Sequence, residues 1–219
     1  MQNEIYSVIH KLDSITYNHS IRVMCIAREI EDFYKLEERL IGNAALVHDI
    51  GKTYISSKIL DKKERLDLVE RELINLHPYI GYRMLKQMGV NEDICRIVLY
   101  HHGLHPVLLR ELEPYQNPMI NDMALMLHSI DSFEALTSDR PYHRGLLATE
   151  ALEIMIKESG HHQAVLDYLI HMLDDGESSE NSAVFRGGYT IEPRIIEKAL
   201  DDICTTNPKI VKSVFCNAV

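Results

Sequence analysis

The chain has 219 residues, 46% of them hydrophobic, and a formal net charge of −10. The length suits one sizeable domain with a real core. The charge excludes a general binder of duplex DNA or RNA, which needs a basic face, and no run reaches the roughly 20 apolar residues of a membrane span.

Apolar periodicity is helical nearly throughout. Residues 2–12 carry Ile5, Val8, Ile9 and Leu12 at helical spacing, behind an N-terminus without the features of a signal peptide, so a cytoplasmic protein is expected. The next helix is expected from Tyr17-Asn18, with His19, Val23, Ile26, Ala27 and Ile30 on one face. Residues 36–49 predict a helix whose apolar end, Ala44-Ala45-Leu46-Val47, runs into His48-Asp49-Ile50-Gly51-Lys52. A loop is expected over 50–63, then a helix over 64–76 with Leu66, Val69, Leu73 and Leu76 as its apolar stripe. Pro78 suits the first turn of a new helix, which puts His77 at a joint and Gly89 at the stop.

Asn91 is a plausible N-cap for 92–102, a helix that ends in His101-His102-Gly103. Residues 103–118 read as a loop, and 119–137 as a helix with Asp131 in an otherwise apolar stripe and Met119, Met123 and Met126 at core spacing. Helices follow at 147–158, 161–173, 193–204 and 207–216. The expected organisation is a domain over 1–173, a polar linker over 174–190, and C-terminal helices over 191–219 packing on or extending the domain. The four cysteines, Cys25, Cys95, Cys204 and Cys216, are scattered and read as buried or free thiols.

Five imidazoles and two carboxylates stand at helix ends or in apolar stripes: His19, His48, Asp49, His77, His101, His102 and Asp131. Any one alone reads as a satisfied core side chain. Seven are hard to explain separately as buried polar groups. They exceed the needs of one four-coordinate ion and suit two divalent ions sharing a bridging carboxylate. His128, one turn before Asp131, reads as a core or surface histidine, with support of a ligand from behind as the alternative, and His10, His161, His162 and His171 as structural or exposed.

The flanking residues carry a resemblance. The matching pieces are Tyr17 to Val23; His48 to Lys52 with Ile59-Leu60; Glu72 to His77-Pro78 and Gly81; His101-His102; and Asp131 to Tyr142. Together they resemble the HD superfamily of metal-dependent phosphohydrolases, and specifically its HD-GYP branch of cyclic di-GMP phosphodiesterases. The resemblance implies an all-α HD-domain helical bundle with a binuclear metal site in its core. It assigns His19, His48, Asp49 and Asp131 to the ligands shared with simpler HD proteins, with Asp49 as the bridge, and adds His77, His101 and His102 to complete the second site. Lys52 and Arg140 become phosphate contacts, although Arg140 could also cap helix carbonyls or pair with Asp139. His143, or its neighbour Arg144, stands where a further basic contact follows.

The implied reaction is hydrolysis of cyclic di-GMP or a related cyclic dinucleotide by a two-metal activated hydroxide, with iron or manganese, or alternatively zinc, as the ions. Two departures stand out. Gly103-Leu104-His105-Pro106 replaces the acidic residue and Gly-Tyr-Pro loop, and Ile15 replaces a Glu that holds a third ion in some relatives, so two ions are expected. The altered loop leaves open another nucleotide phosphoester as substrate, or a catalytically weak, metal-containing sensing module. A homodimer or a signalling partner protein is equally open.

Overall fold

The computed structural model describes residues 2–103, 117–139, 144–174 and 193–205. Among them the elements are α1 (Gln2–Ile9), α2 (Ser14–Phe33), α3 (Leu40–Val47), a 3-10 turn (Ile50–Tyr54), α4 (Ser57–Leu60), α5 (Leu68–Asn75), α6 (His77–Gln87), α7 (Glu92–Tyr100), α8 (Pro118–Thr137), α9 (Ala148–Lys157), α10 (Gln163–Asp174) and α11 (Pro193–Thr205). There is no strand among the described residues, and none of their helices is long and apolar enough to cross a membrane. The fold is all-α, as expected.

The arrangement follows from α3. All eight of its residues are buried, and a helix without a polar face must lie inside. It packs against α2, α7 and α8, while α6 packs on α7 and on the 3-10 turn. Ile26, Ile30, Ile41, Leu46, Ile94, Val98, Leu127, Ile130 and Phe133 meet there almost without exposure, each side chain contributing roughly 1.5–3 kcal/mol on burial. The α9 and α10 helices pack on each other and on α8, and α11 lies on α3 and α1.

Several boundaries differ from those expected, each for a local reason. The second helix begins at Ser14, three residues early, because the Asp13 carboxylate accepts from the backbone amides of Ile15 and Thr16. The third starts at Leu40 rather than 36, since Lys35 and Arg39 adopt left-handed backbone angles. Buried Glu31 then accepts from the amides of Ile41 and Gly42 at 2.9 and 3.0 Å, capping the new helix from α2. Asp67 and Glu70 form a capping box that starts α5 at Leu68 instead of 64. The loop expected over 50–63 contains the 3-10 turn and α4. The apolar stripe expected on α5 is not buried: Val69 and Leu73 are exposed, as is Leu68. Met126 joins the core and Met119 is exposed.

Gly51 fixes how the first turn after α3 meets α6. A Cβ there would lie 2.1 Å from the His77 carbonyl oxygen and 2.8 Å from the Gly81 amide nitrogen. Both obstacles are backbone and cannot swing away. Gly51→Ala is expected to destabilise the fold by about 3 kcal/mol or more, at the top of the usual overpacking range, read from the midpoint of urea unfolding. A change under about 0.5 kcal/mol, typical of an unconstrained surface position, would show that the two turns do not meet this closely.

Candidate metal centre

Helix ends present most of the candidate ligands. His48 and His101 are the C-terminal caps of α3 and α7, and His77 stands at the joint of α5 and α6. In each, Nδ1 bonds a backbone carbonyl three residues earlier: Ala45 at 2.7 Å, Ile74 at 2.7 Å and Val98 at 2.6 Å. A carbonyl can only accept, so each Nδ1 carries the proton and each Nε2 keeps its lone pair. The last turn of a helix has carbonyls without intrahelical partners, and these histidines satisfy them while aiming Nε2 inward.

The fourth imidazole is set differently. His19 lies on the inner face of α2, and its Nδ1 bonds the Glu134 carboxylate on α8. Glu134 is itself held by Arg22 Nε and by Ser138 Oγ. Sequence reasoning assigned Glu134 no role. The signal was present, since Glu134 follows Asp131 by three residues and so shares its helical face.

All seven predicted ligands come together, six of them buried and His102 at the rim. Their donor atoms form three overlapping groups: His19, His48 and Asp131; His48, Asp49 and His101; and His77, His101 and His102. Asp49 spans two sides of the cluster, with Oδ1 3.3 Å from His77 Nε2 and Oδ2 3.5 Å from His48 Nε2. Asp131 does the same: Oδ1 is 2.9 Å from His19 Nε2 and Oδ2 is 3.5 Å from His102 Nε2. Asp49 Oδ1 and His48 Nε2 are buried without a hydrogen-bond partner. A buried carboxylate oxygen beside an unpartnered imidazole lone pair is costly, and a divalent cation satisfies both. The residues therefore fit a metal centre.

Electrostatics point the same way. Burial raises the Asp49 carboxyl, but Lys52 and the surrounding imidazoles overcome it and hold the group well below the carboxylate range. The Lys52 ammonium is 2.7 Å from Asp49 Oδ2. Burial pulls His77 down to about 4 and holds His101 well below its ordinary value, so both are neutral imidazoles at physiological pH. His19 is the exception. Burial lowers it, but bonds to Asp131 and Glu134 prevail and bring the imidazole to about 9 in the metal-free protein.

A cleft of about 310 Å³ adjoins the centre, lined by Thr16, His19, Arg22, Asp49, Lys52 and Asp139 among others, with Ile15, Leu60 and Ile74 as its apolar part. Lys52 thus stands at both centre and cleft. Arg144 is exposed and is not among the described residues lining that cleft. Arg140, His143 and His105 lie outside the described residues, as do the helix over 207–216 and residues 175–190 of the expected linker, whose first residue, Asp174, instead ends α10.

Comparison with known proteins adds three findings. The HD domain family matches residues 16–136. A cyclic di-GMP phosphodiesterase of Pseudomonas aeruginosa is 33% identical over 158 residues, covering 68% of this chain and 37% of that protein. A 3'3'-cGAMP-specific phosphodiesterase of Vibrio cholerae is 29% identical over 160 residues, covering 68% of this chain and 33% of that one. The chain thus spans about a third of the length of these relatives. Among solved structures, the HD domain of the L. monocytogenes phosphodiesterase PgpH superposes with a TM-score of 0.55 at 20% identity, over 77% of this chain and 97% of that one. At that identity the likeness concerns the fold.

His19 sets a pH dependence on ion loading. Below about 9 its imidazole is protonated in the metal-free protein, and it must lose that proton to act as a ligand. Loading Mn2+ at neutral pH is expected to release about one proton per chain from this group, with affinity rising as pH climbs toward about 9 and levelling above it. Titration calorimetry in two buffers of different ionisation enthalpy measures the release. Heats independent of the buffer would contradict a protonated His19.

Proposed function

Because this chain belongs to the HD-domain family, in its HD-GYP-like branch, we propose that it is a metal-dependent phosphohydrolase that opens a cyclic dinucleotide. The observation that carries the reading is the convergence of six other candidate donors with Asp49, whose two oxygens face different imidazoles, beside a cleft that also holds a lysine. In this reading His19, His48 and Asp131 would hold one ion and His77, His101 and His102 the other, with Asp49 available to both sets. Divalent ions, when bound, act as Lewis acids that make water nucleophilic at neutral pH and neutralise the charge of a phosphodiester.

The protein's own groups do the rest. Three helix-end carbonyls lock the tautomers of His48, His77 and His101, so these three rings already present Nε2 for binding. Glu134 orients His19 from behind. Lys52, anchored on Asp49 and lining the cleft, places a positive charge where negative charge grows on the attacked phosphate. An overall charge of −10 repels an anionic dinucleotide at long range, so a local positive centre has to draw it in. Arg140 is proposed as a further phosphate contact.

The names of the relatives, one a cyclic di-GMP and one a 3'3'-cGAMP phosphodiesterase, support the cyclic dinucleotide class. The PgpH HD domain in complex with cyclic-di-AMP, with a TM-score of 0.51, adds a fold that accommodates another member. The test is hydrolysis of a panel of cyclic dinucleotides and other nucleotide phosphoesters, run with metal analysis. Asp49→Ala is expected to empty this centre of its ions and to abolish turnover. Lys52→Ala is expected to keep its ions and lose about a hundredfold in kcat/KM, the scale of removing one preorganised donor. Turnover surviving in Asp49→Ala would overturn the assignment. Metal-loaded parent protein without turnover on any phosphodiester would favour a sensing module.

A further inference from the structure

Besides Lys52, the described lining of the cleft at the metal centre holds one other lysine or arginine, Arg22. It follows His19 by one turn of α2, on the face where Ile15 and Thr16 also line the cleft. The same lining carries the carboxylates of Asp13, Asp49, Asp61, Glu134 and Asp139. An anion entering such a place needs fixed positive charge to offset them.

The Arg22 guanidinium is held by one edge. Glu134, almost fully buried, divides its oxygens: Oε2 meets His19 Nδ1, while Oε1 accepts from Arg22 Nε and from Ser138 Oγ. An arginine that served only to neutralise a carboxylate would set two parallel N–H groups against both oxygens. Here one oxygen belongs to His19, and Arg22 commits Nε alone. Arginine has five N–H donors. The four on Nη1 and Nη2 have no hydrogen-bond partner among the described residues. Neither nitrogen is among the buried atoms left unpartnered, and the side chain is 18% exposed. The free edge therefore opens on the cleft.

Lys52 stands on the other side of His19. Its ammonium is 2.7 Å from Asp49 Oδ2, which lies 3.8 Å from His19 Nε2. Arg22 is tied to the carboxylate behind Nδ1 of the same ring. Two cations thus flank one candidate ligand, each anchored on a buried acid. Pinning through Nε leaves a planar fork with little freedom to lose, and a fork of this kind matches two oxygens of one phosphate.

Resting on the phosphodiesterase reading, we propose that Arg22 is a catalytic residue that grips the attacked phosphodiester. Its terminal N–H groups donate to the non-bridging oxygens of that phosphate, opposite Lys52. Glu134 then has two tasks, since it holds a candidate metal ligand and a substrate contact at a fixed spacing.

The experiment compares Mn2+-loaded parent and Arg22→Lys in the full chain. It measures Mn2+ per chain, the thermal unfolding midpoint, the Kd for inorganic phosphate by calorimetry, and kcat/KM on bis(p-nitrophenyl) phosphate and cyclic di-GMP. Arg22→Lys can still donate to Glu134 but lacks the fork. It is expected to keep the ions and midpoint of the parent and to bind phosphate about tenfold more weakly, as when one charge-assisted hydrogen bond is lost. Its kcat/KM is expected to fall about a hundredfold on both diesters. Should it fail to fold, Arg22→Gln, whose amide also donates, takes its place. Phosphate affinity and turnover within twofold of the parent would overturn the proposal. So would loss of Mn2+ in the folded variant, which would make Arg22 a support for the ligands only. A fall confined to cyclic di-GMP would overturn it as well, because the contact would then lie elsewhere on the dinucleotide. A parent that binds phosphate but opens no phosphodiester would sink the phosphodiesterase reading instead, and phosphate affinity would still decide whether Arg22 grips a phosphate.

Discussion

The bond between an imidazole Nδ1–H and a free carbonyl at the end of a helix is the interaction on which this structure depends. It occurs at His48, His77 and His101, each time with the residue three positions back. One contact does two jobs. It gives a carbonyl in the last turn of a helix a donor, and it leaves Nε2 deprotonated and directed at the cavity between the helices. His10 makes a similar bond to Tyr6 at the exposed end of α1, and its ring neighbours there are Tyr6 and Tyr17. The bond orients a ligand; convergence of several helix ends makes the centre.

That convergence has to balance charge. Asp49 and Asp131 are both buried, and two carboxylates in a dry core are tolerable only with positive charge close by. Lys52 serves Asp49, and a protonated His19, braced by Glu134, serves Asp131. Arg22 balances Glu134 in turn. A metal-free chain thus has a proton standing where an ion would stand, which ties the state of the centre to pH without any special device.

Much of this was legible in the sequence for one physical reason. Helix ends and apolar stripes have strong local signatures, and a histidine or aspartate in either place is anomalous enough to notice. His48-Asp49 after an apolar run, His77 before Pro78 and Asp131 in its stripe all announced themselves. What escaped were features settled by contacts distant in the chain. Glu134 meets His19 across 115 positions, and Glu31 caps a helix ten residues away that periodicity had begun too early. The stripe on α5 obeys helical spacing yet remains exposed, since spacing says which residues share a face and not whether anything covers it.

The contact at Gly51 has a consequence for how such a protein tolerates change. Main chain rests on main chain there, Gly51 against His77 and Gly81, so the gap between His48-Asp49 and His77 is gauged by peptide dimensions and not by the shapes of interior side chains. Replacing one aliphatic residue by another elsewhere would shorten the lifetime of the folded molecule before it altered that gauge. Durability and chemistry can therefore drift separately, with the former free to vary while the latter stays in tune.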